Sequence, residues 1–561
     1  MKTNKKILIA VAWPYVNGDI HLGHLAGYLL PADIFARSQR LFGHDVLMVS
    51  GSDCFGTPVA LEADKRGVAP AEIVEEYHQK NVQLFQDLNL SFDLYTKTDT
   101  PLHKKVVQDL FVDLLNKEII YKDTDQQYYD AEADRFLPDR YVEGICPRCG
   151  FDGARSDQCD NCDSLLAQGK LINPRSKLSG ETVTLKESEH YFFAWPKLAD
   201  FLRQYLDDKQ AAWHKIRPWI FHEANKWLQA GLRPRAITRD LDWGVEIPGD
   251  RLQAGQLIKD WQKKRIYVWF EAVVGYLSAS QQFCAEHNLN YEAWWKNEDA
   301  RHYYFMGKDN LVFHALFWPG QLHAYDEALH LPDVLSINQF LTLGGQGFSK
   351  SRGITLAPRE LTDKFGLDLV RFYLVLIAPE NSDSDFTWAD FAAKANNLII
   401  ANLGNFIFRT LKLAEGLDLQ NITPDTNLVQ NAATYLKQIK IELESCHFKK
   451  YAELLLELSS LGNKYLSEQT PWTLKKTNPA KAEAVLATAL TIVAALVLAI
   501  KPLIPDTADK LAQMINWDVA IWPEDEAKAL EQAVKEIKLG ESEPLFARVE
   551  LKVDESLVVS R

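Results

Sequence analysis

The sequence predicts an α/β protein: a doubly wound parallel sheet interrupted by a cysteine-bearing insertion and followed by an all-α helical bundle. Three observations predict it. A near-continuous apolar run at 5–13 leads into the turn-rich Pro14-Tyr15-Val16-Asn17-Gly18-Asp19, and helical spacing begins near His21. Residues 121–190 are rich in Tyr, Asp and Gly and hold a cluster of cysteines. From 389 onward, helix formers dominate, with Leu398, Ile399, Leu403 and Phe406 on one helical face.

An unbroken apolar strand is the mark of a strand buried on both faces, as in a parallel sheet. A second run, Val46-Leu47-Met48-Val49, ends at Ser50-Gly51-Ser52-Asp53. Strand, glycine-bearing loop and helix in succession give a Rossmann-like sheet, in which ligands bind at the carboxyl ends of the strands. The α/β character returns at Ile266–Phe270 and Tyr303–Gly307. The expected limits are a first half at 1–115, an inserted module at 116–225 with its knuckle at 144–163, and a second half at 226–330. A compact segment at 331–388, a helical domain at 389–550 and a short tail at 551–561 complete the chain.

The 561 residues are too many for one core, and length alone suggests roughly four domains. Hydrophobic residues make up 47% and charged residues 25%, a soluble globular balance. No run reaches the roughly 20 uninterrupted apolar residues of a membrane span. Ala487–Leu503 comes nearest, is broken by Lys501 and Pro502, and reads as a buried helix. The basic N-terminus leads into a strand with no cleavage site, so a cytoplasmic, membrane-free protein is expected. A net charge of −14 argues against a general nucleic-acid coat and gives no reason to expect DNA binding. It leaves room for a local basic surface against phosphates.

His21-Leu22-Gly23-His24 falls where a helix starts after the first strand. Two imidazoles three residues apart share one side of a turn whose backbone N–H groups already favour phosphate. Gly23 lets a base or ribose come close. Standing alone, the motif also fits a plain helix start with two surface histidines. Far downstream, Leu343-Gly344-Gly345-Gln346-Gly347 leads into Phe348-Ser349-Lys350-Ser351-Arg352. A loop holding Lys350 between Ser349 and Ser351 can close on a triphosphate and stabilise a departing pyrophosphate. Cys146, Cys149, Cys159 and Cys162 form two CxxC pairs with nine residues between them, a spacing that lets four thiolates surround one Zn²⁺. No open ligand lies nearby, so the metal reads as structural.

The two nucleotide-binding motifs together resemble those of class I aminoacyl-tRNA synthetases, and the residues around them resemble the methionyl-tRNA synthetases over about 1–550. The most specific stretches are Pro14–Gly18 with His21–His24, Asp53 with Gly56-Thr57-Pro58, and Tyr267–Ala272. Gly307–Asn310 with Phe313-His314, and Gln469–Trp472, complete the set. The resemblance implies a Rossmann-like catalytic domain, a zinc knuckle in a connective insert and an α-helical anticodon-binding domain. It implies activation of L-methionine with ATP and Mg²⁺, then transfer to the 3'-terminal ribose of tRNA(Met). His21, His24 and Lys350 would be catalytic, with Gly23, Ser349, Ser351, Asp309 and Arg239 on the ATP side. The methionine pocket would comprise Trp13, Tyr15, Asp53, Trp269, Ala272, Tyr276 and His314. Asn402 and Trp472 would read the anticodon.

The chemistry agrees with that placement, since Asp53 can pair with an ammonium and flat aromatic walls suit a thioether. Trp269 and Tyr276 equally suit ordinary core packing, and Trp472 a helix start after Pro471. Some relatives carry a second knuckle; Ser176 and Ser179 stand where its first thiols would be, so one metal is expected. The chain departs from the pattern at Gly347, where a basic residue is usual, and at Phe55, Trp13 and Asn310. Leu545–Glu550 resembles the opening of an appended tRNA-binding domain that ends almost at once, so a monomer is expected. Two alternatives stay open: a class I synthetase for another amino acid, and a catalytically silent tRNA-binding paralogue.

Overall fold

The computed structural model describes residues 4–138, 141–156, 159, 161–162, 164, 166, 169–348 and 353–551. Five strands form the central sheet: β1 (Lys6–Val11), β2 (Asp45–Ser52), β3 (Leu94–Lys97), β4 (Arg301–Gly307) and β5 (Val334–Asn338). Their order is β5-β4-β1-β2-β3 and every pairing is parallel. Winding reverses between β1 and β4, where Ile7 pairs with Val46 on one side and Arg301 on the other. Connections leaving opposite faces open a crevice at the carboxyl ends of these two strands. Asp53 follows β2 directly, and Asp309 follows β4.

The insertion begins as an antiparallel ribbon of Ile120–Asp130 and Thr184–Phe193, in register from Ile120↔Phe193 to Tyr129↔Thr184. Beyond it, Val142–Ile145, Asp152–Arg155 and Ile172–Ser176 make the small sheet that carries the cysteines. This part has its own core of Tyr128, Leu137, Tyr141 and Val142, against which Leu61 of the first half packs. Tyr141 Oη donates to Asp64 Oδ2 at 2.9 Å, so the cysteine sheet leans on the helix Thr57–Arg66.

The apolar run at 266–270 is split. Ile266 closes a three-residue strand, Lys264–Ile266, and Val268–Glu271 is already helical. Apolar content alone does not separate a short strand from a buried helical turn.

After the sheet, helices take over. Pro479–Ile500 is apolar enough by length and composition to cross a membrane, yet every residue from Val485 to Ile500 is buried, so it serves as the core helix of the bundle. Helices Thr426–Glu444 and Phe448–Gln469 pack around it. Two buried arginines join bundle to sheet. Arg371 donates from Nη2 to Asp33 Oδ2 at 2.6 Å and from Nε to the Leu503 carbonyl at 2.7 Å. Arg217 donates to the Glu380 carbonyl at 3.0 Å and to the Cys446 carbonyl at 3.3 Å.

Candidate active site

At the switch point β1 ends, the chain turns, and a helix begins at Leu22 with His21 as its N-cap. His21 Nδ1 accepts from the Gly23 N–H at 3.1 Å, and His24 Nδ1 accepts from the His21 N–H at 3.2 Å. A ring nitrogen that accepts a backbone N–H carries no proton, so each neutral ring bears its hydrogen on Nε2. Capping thus fixes the tautomer and orientation of both imidazoles, whose centroids lie 3.9 Å apart. The pair is a preset double hydrogen-bond donor at a helix start, the chemistry an anionic phosphate needs.

The second motif comes to the same place. Phe348 stacks on His21 with centroids 4.5 Å apart and planes 7° from parallel. On the other side of the loop, the Leu356 carbonyl accepts from the Leu22 N–H at 3.1 Å. Both shoulders of the Ser-Lys-Ser loop therefore touch the histidine turn. Ser349, Lys350 and Ser351 themselves lie outside the described residues. A Cβ at Gly23 would come within 3.0 Å of both the His21 ring and Phe348, so glycine there makes room for this stack.

One cleft of about 590 Å³ joins these groups to the residues expected for the amino acid: Trp13, Tyr15, Asp53, Trp269, Ala272, Tyr276 and His314. Asp53 is bridged to Tyr15 and held by its N–H on the Pro14 carbonyl at 2.9 Å. Its Oδ1 is buried without a partner. Burial, then the charge of Glu271, pushes the Asp53 carboxyl well above the ordinary range. A buried acceptor left open in this way suits an incoming cationic donor.

The rest of the wall is aromatic and neutral. Trp269 stacks on Phe313 at 4.2 Å and meets Tyr15 edge-on at 6.2 Å. His314 Nδ1 donates to the Asn310 carbonyl at 2.9 Å, so its Nε2 accepts from Tyr276 Oη at 2.8 Å. Burial drives the His314 imidazole down to about 4, leaving it uncharged at neutral pH. Trp13 occupies a slot between Gly51 and Gly275, where a Cβ at Gly275 would come within 2.6 Å of the indole. Its bulk is therefore matched by two glycines.

Asp309 lines the cleft, and burial raises its carboxyl. Arg239 does not line it: its guanidinium stacks over Tyr267 at 4.1 Å and donates to the Ala236 and Thr238 carbonyls at 2.9 Å. Sequence reasoning missed Tyr28, Phe313, Gln339 and Thr342, which also face the cleft. Tyr28 follows His24 by one helical turn, a signal that was available. Gln339 follows the end of β5 and Thr342 sits in the short strand Leu341–Leu343, and no local pattern marks them.

The four cysteines converge. Their sulfurs lie within 4.8 Å of one another, with Cys146 Sγ 3.8 Å from Cys162 Sγ and Cys149 Sγ 3.6 Å from Cys159 Sγ. A tetrahedron with metal–sulfur bonds of ~2.3 Å has edges of ~3.8 Å, so this thiol set can hold a metal ion. It is the one such four-cysteine group among the described residues. Ser176 and Ser179 instead build a hydrogen-bonded turn. Ser176 Oγ accepts from the Leu178 N–H at 3.1 Å, and Ser179 Oγ donates to Asp130 Oδ2 at 2.7 Å.

In the bundle, Asn402 Nδ2 donates to the Leu456 carbonyl at 3.0 Å and to Ser460 Oγ at 2.9 Å, and its Oδ1 accepts from Asn463 at 2.9 Å. Its amide is committed inside the bundle and would have to change partners to meet a base. Trp472 is 39% exposed, with Arg409 over its ring at 5.3 Å.

Comparisons with known proteins show the family and the fold. A family model described as tRNA synthetases class I (M) matches residues 7–411, and one described as the anticodon binding domain of methionyl tRNA ligase matches residues 419–557. The chain is similar to the methionine–tRNA ligase of Roseiflexus sp. (strain RS-1), 39% identical over 98% of this chain and 97% of that relative. It is 40% identical to the methionine–tRNA ligase of Thermobifida fusca (strain YX), over 92% of this chain and 87% of the relative. Its fold is similar to that of Mycobacterium tuberculosis methionyl-tRNA synthetase in complex with methionyl-adenylate, with a TM-score of 0.77 and 24% identity, covering 97% of this chain and all of the other.

Proposed function

The chain belongs to the methionine–tRNA ligases among class I tRNA synthetases, and we propose that its switch-point cleft carries both steps of that reaction. L-Methionine is joined to ATP to give methionyl-adenylate and pyrophosphate, and the methionyl group is then passed to the terminal ribose of tRNA. The observation that carries the residue assignment is the meeting of a preset histidine donor pair with both shoulders of the lysine loop, beside a cleft that holds the buried Asp53 carboxylate among aromatic rings.

In the first step a methionine carboxylate oxygen attacks the α-phosphorus and the bond to pyrophosphate breaks. His21 and His24 direct Nε2–H groups at the charge developing on the α-phosphate, and Lys350 stabilises the leaving pyrophosphate. Mg²⁺ accompanying ATP neutralises the remaining phosphate charge. Asp53 pairs with the substrate ammonium, and Asp309 faces the nucleotide. Trp13, Tyr15, Trp269, Ala272, Tyr276 and His314 enclose the side chain; the uncharged His314 and the polarizable rings favour a thioether over a charged group. No protein nucleophile is needed.

The cysteine cluster fits one structural Zn²⁺, whose part is to hold the knuckle together. On this reading the bundle from 389 onward receives the anticodon, with Trp472 as a stacking surface and Asn402 as a second contact. The insert spans 116–225 and the loop-bearing segment 331–388.

The direct test is ATP–pyrophosphate exchange with each of the twenty amino acids. Exchange with methionine alone, abolished in the H21A/H24A double variant, is the expected result. Exchange with another amino acid, or undiminished exchange in that variant, rejects the assignment.

A further inference from the structure

Behind the cleft wall the protein buries a second carboxylate. Glu271 has no exposed surface, and its charge is the first that bears on Asp53. Its Oε2 lies 2.7 Å from Nε2 of His103, which is equally buried. The other ring nitrogen, Nδ1, lies 2.9 Å from Ser278 Oγ, whose hydroxyl donates to the Gly275 carbonyl at 3.2 Å. Because the serine hydrogen is already committed, Nδ1 carries a hydrogen, and one proton is left for the Nε2–Oε2 contact. The pair is then net neutral, whichever of the two atoms holds that proton.

Glu271 Oε1 and Asp53 Oδ1 are both buried without a partner. Methionine brings a single ammonium. Two ionised carboxylates in one dry wall would oppose each other and raise the proton affinity of both. Burial, then the charge of Lys104, drives the His103 imidazole down to about 3, and burial raises the Glu271 carboxyl. Lys104, beside His103, is paired with Asp99 at 2.7 Å; His314 is neutral; burial pushes the Cys54 thiol up to about 12 and the Tyr276 phenol well above its usual range.

We propose that His103 is a positioning residue that makes a net-neutral, one-proton pair with Glu271, so that, of these two carboxylates, Asp53 alone meets the substrate ammonium as an anion. The inference rests on the assignment of Asp53 to that ammonium. Glu271 and Ser278 flank Ala272 and Tyr276, so the same contacts also fix the pocket wall.

The test is pyrophosphate exchange on the full chain, with KM for methionine and for ATP measured separately from pH 6 to 9. E271Q, neutral by construction, is expected to keep the methionine KM within about 3-fold and its acid limb unmoved. H103L leaves Glu271 without its proton partner; it should raise the methionine KM by about 10-fold or more while the ATP KM stays within about 3-fold. H103L/E271M, which removes both members of the pair, should recover most of that loss. The proposal is overturned if E271Q is as impaired as H103L, since Glu271 would then be an ammonium ligand itself. It is equally overturned if the double variant is no better than H103L, or if the two KM values move together. Should H103L fail to fold, the E271Q profile decides alone. D53N separates the two readings: a wild-type methionine KM in D53N rejects the Asp53 assignment, whereas loss in D53N with a normal H103L rejects only the present inference.

Discussion

The cleft and the seam between sheet and bundle both bury charged groups, and they treat them in opposite ways. In the seam, Asp33 is completely buried and fully engaged: Arg371 at 2.6 Å, Arg37 at 2.9 Å and the Ser91 N–H at 2.7 Å all donate to it. In the cleft, Asp53 Oδ1 and Trp13 Nε1 are buried with no partner, and so is Glu271 Oε1 behind its wall. Burial alone would raise both aspartates. At Asp33 the two arginines outweigh it and the carboxyl is lowered, whereas at Asp53 burial and Glu271 act together and it is raised. The satisfied Asp33 holds parts together, and the open Asp53 oxygen is where a substrate can supply the missing donor.

The largest effect should come from breaking the seam. R371A leaves the buried Asp33 with only Arg37 and the Ser91 N–H, and loss of about 3 kcal/mol of stability is expected by denaturant unfolding. Asp33 lies on the helix that begins with the two histidines, so exchange activity should fall along with folding and not ahead of it. A variant that keeps wild-type stability would show the seam to be ornamental.

Next is K350A, which should slow pyrophosphate exchange by about 10²–10³-fold, the usual consequence of deleting one preorganised charge. Here stability should not move, the reverse of R371A. D53N should follow, with kcat/KM for methionine down by roughly 10²-fold through loss of a charge-assisted contact and little change in the KM for ATP. In the wild type, methionine KM should rise as pH falls through the elevated range of Asp53, because only the ionised form pairs with an ammonium.

These two regions were unequally legible in the sequence. The cleft was readable because its parts are local: an apolar strand, a glycine turn, histidines three residues apart, an aspartate at a strand end. Spacing alone also assembled the cysteines. The seam was invisible, since Arg371 and Asp33 are 338 positions apart and neither breaks a local pattern. The Phe348–His21 stack and the Leu356–Leu22 bond, which bring the second motif to the first, are likewise long-range. Arg239 was expected on the ATP side from the resemblance, and no local pattern gives the stacking of its guanidinium over Tyr267. Asn402 was expected at the anticodon from the resemblance, and its amide partners sit on another helix more than fifty residues away.

The anticodon end gives a smaller effect that keeps the cleft out of it. W472A should reduce aminoacylation kcat/KM for tRNA by about 10-fold, within the range of about 1–3 kcal/mol for one stacked base, and leave pyrophosphate exchange intact. Equal loss in both assays would mean that Trp472 supports the fold instead.

The smallest effect is the one whose sign decides the comparison. A carboxyl whose folded pKa is raised favours the folded state at low pH and loses that contribution as pH rises through the folded value; at neutral pH an ionised Asp53 is a burden on the empty protein. Asp33, with its lowered pKa, contributes stability above its unfolded pKa and loses it only as pH falls through the folded value. D53N should therefore melt at a higher temperature than wild type without substrate, and D33N at a lower one. Saturating methionine should reverse the first result, because a ligand stabilises only the form that binds it. The wild type would then outlast D53N, and the two melting curves should exchange order on adding the amino acid. If D53N melts lower than wild type without methionine, the Asp53 carboxylate is already satisfied in the free protein, and the cleft differs from the seam in position alone.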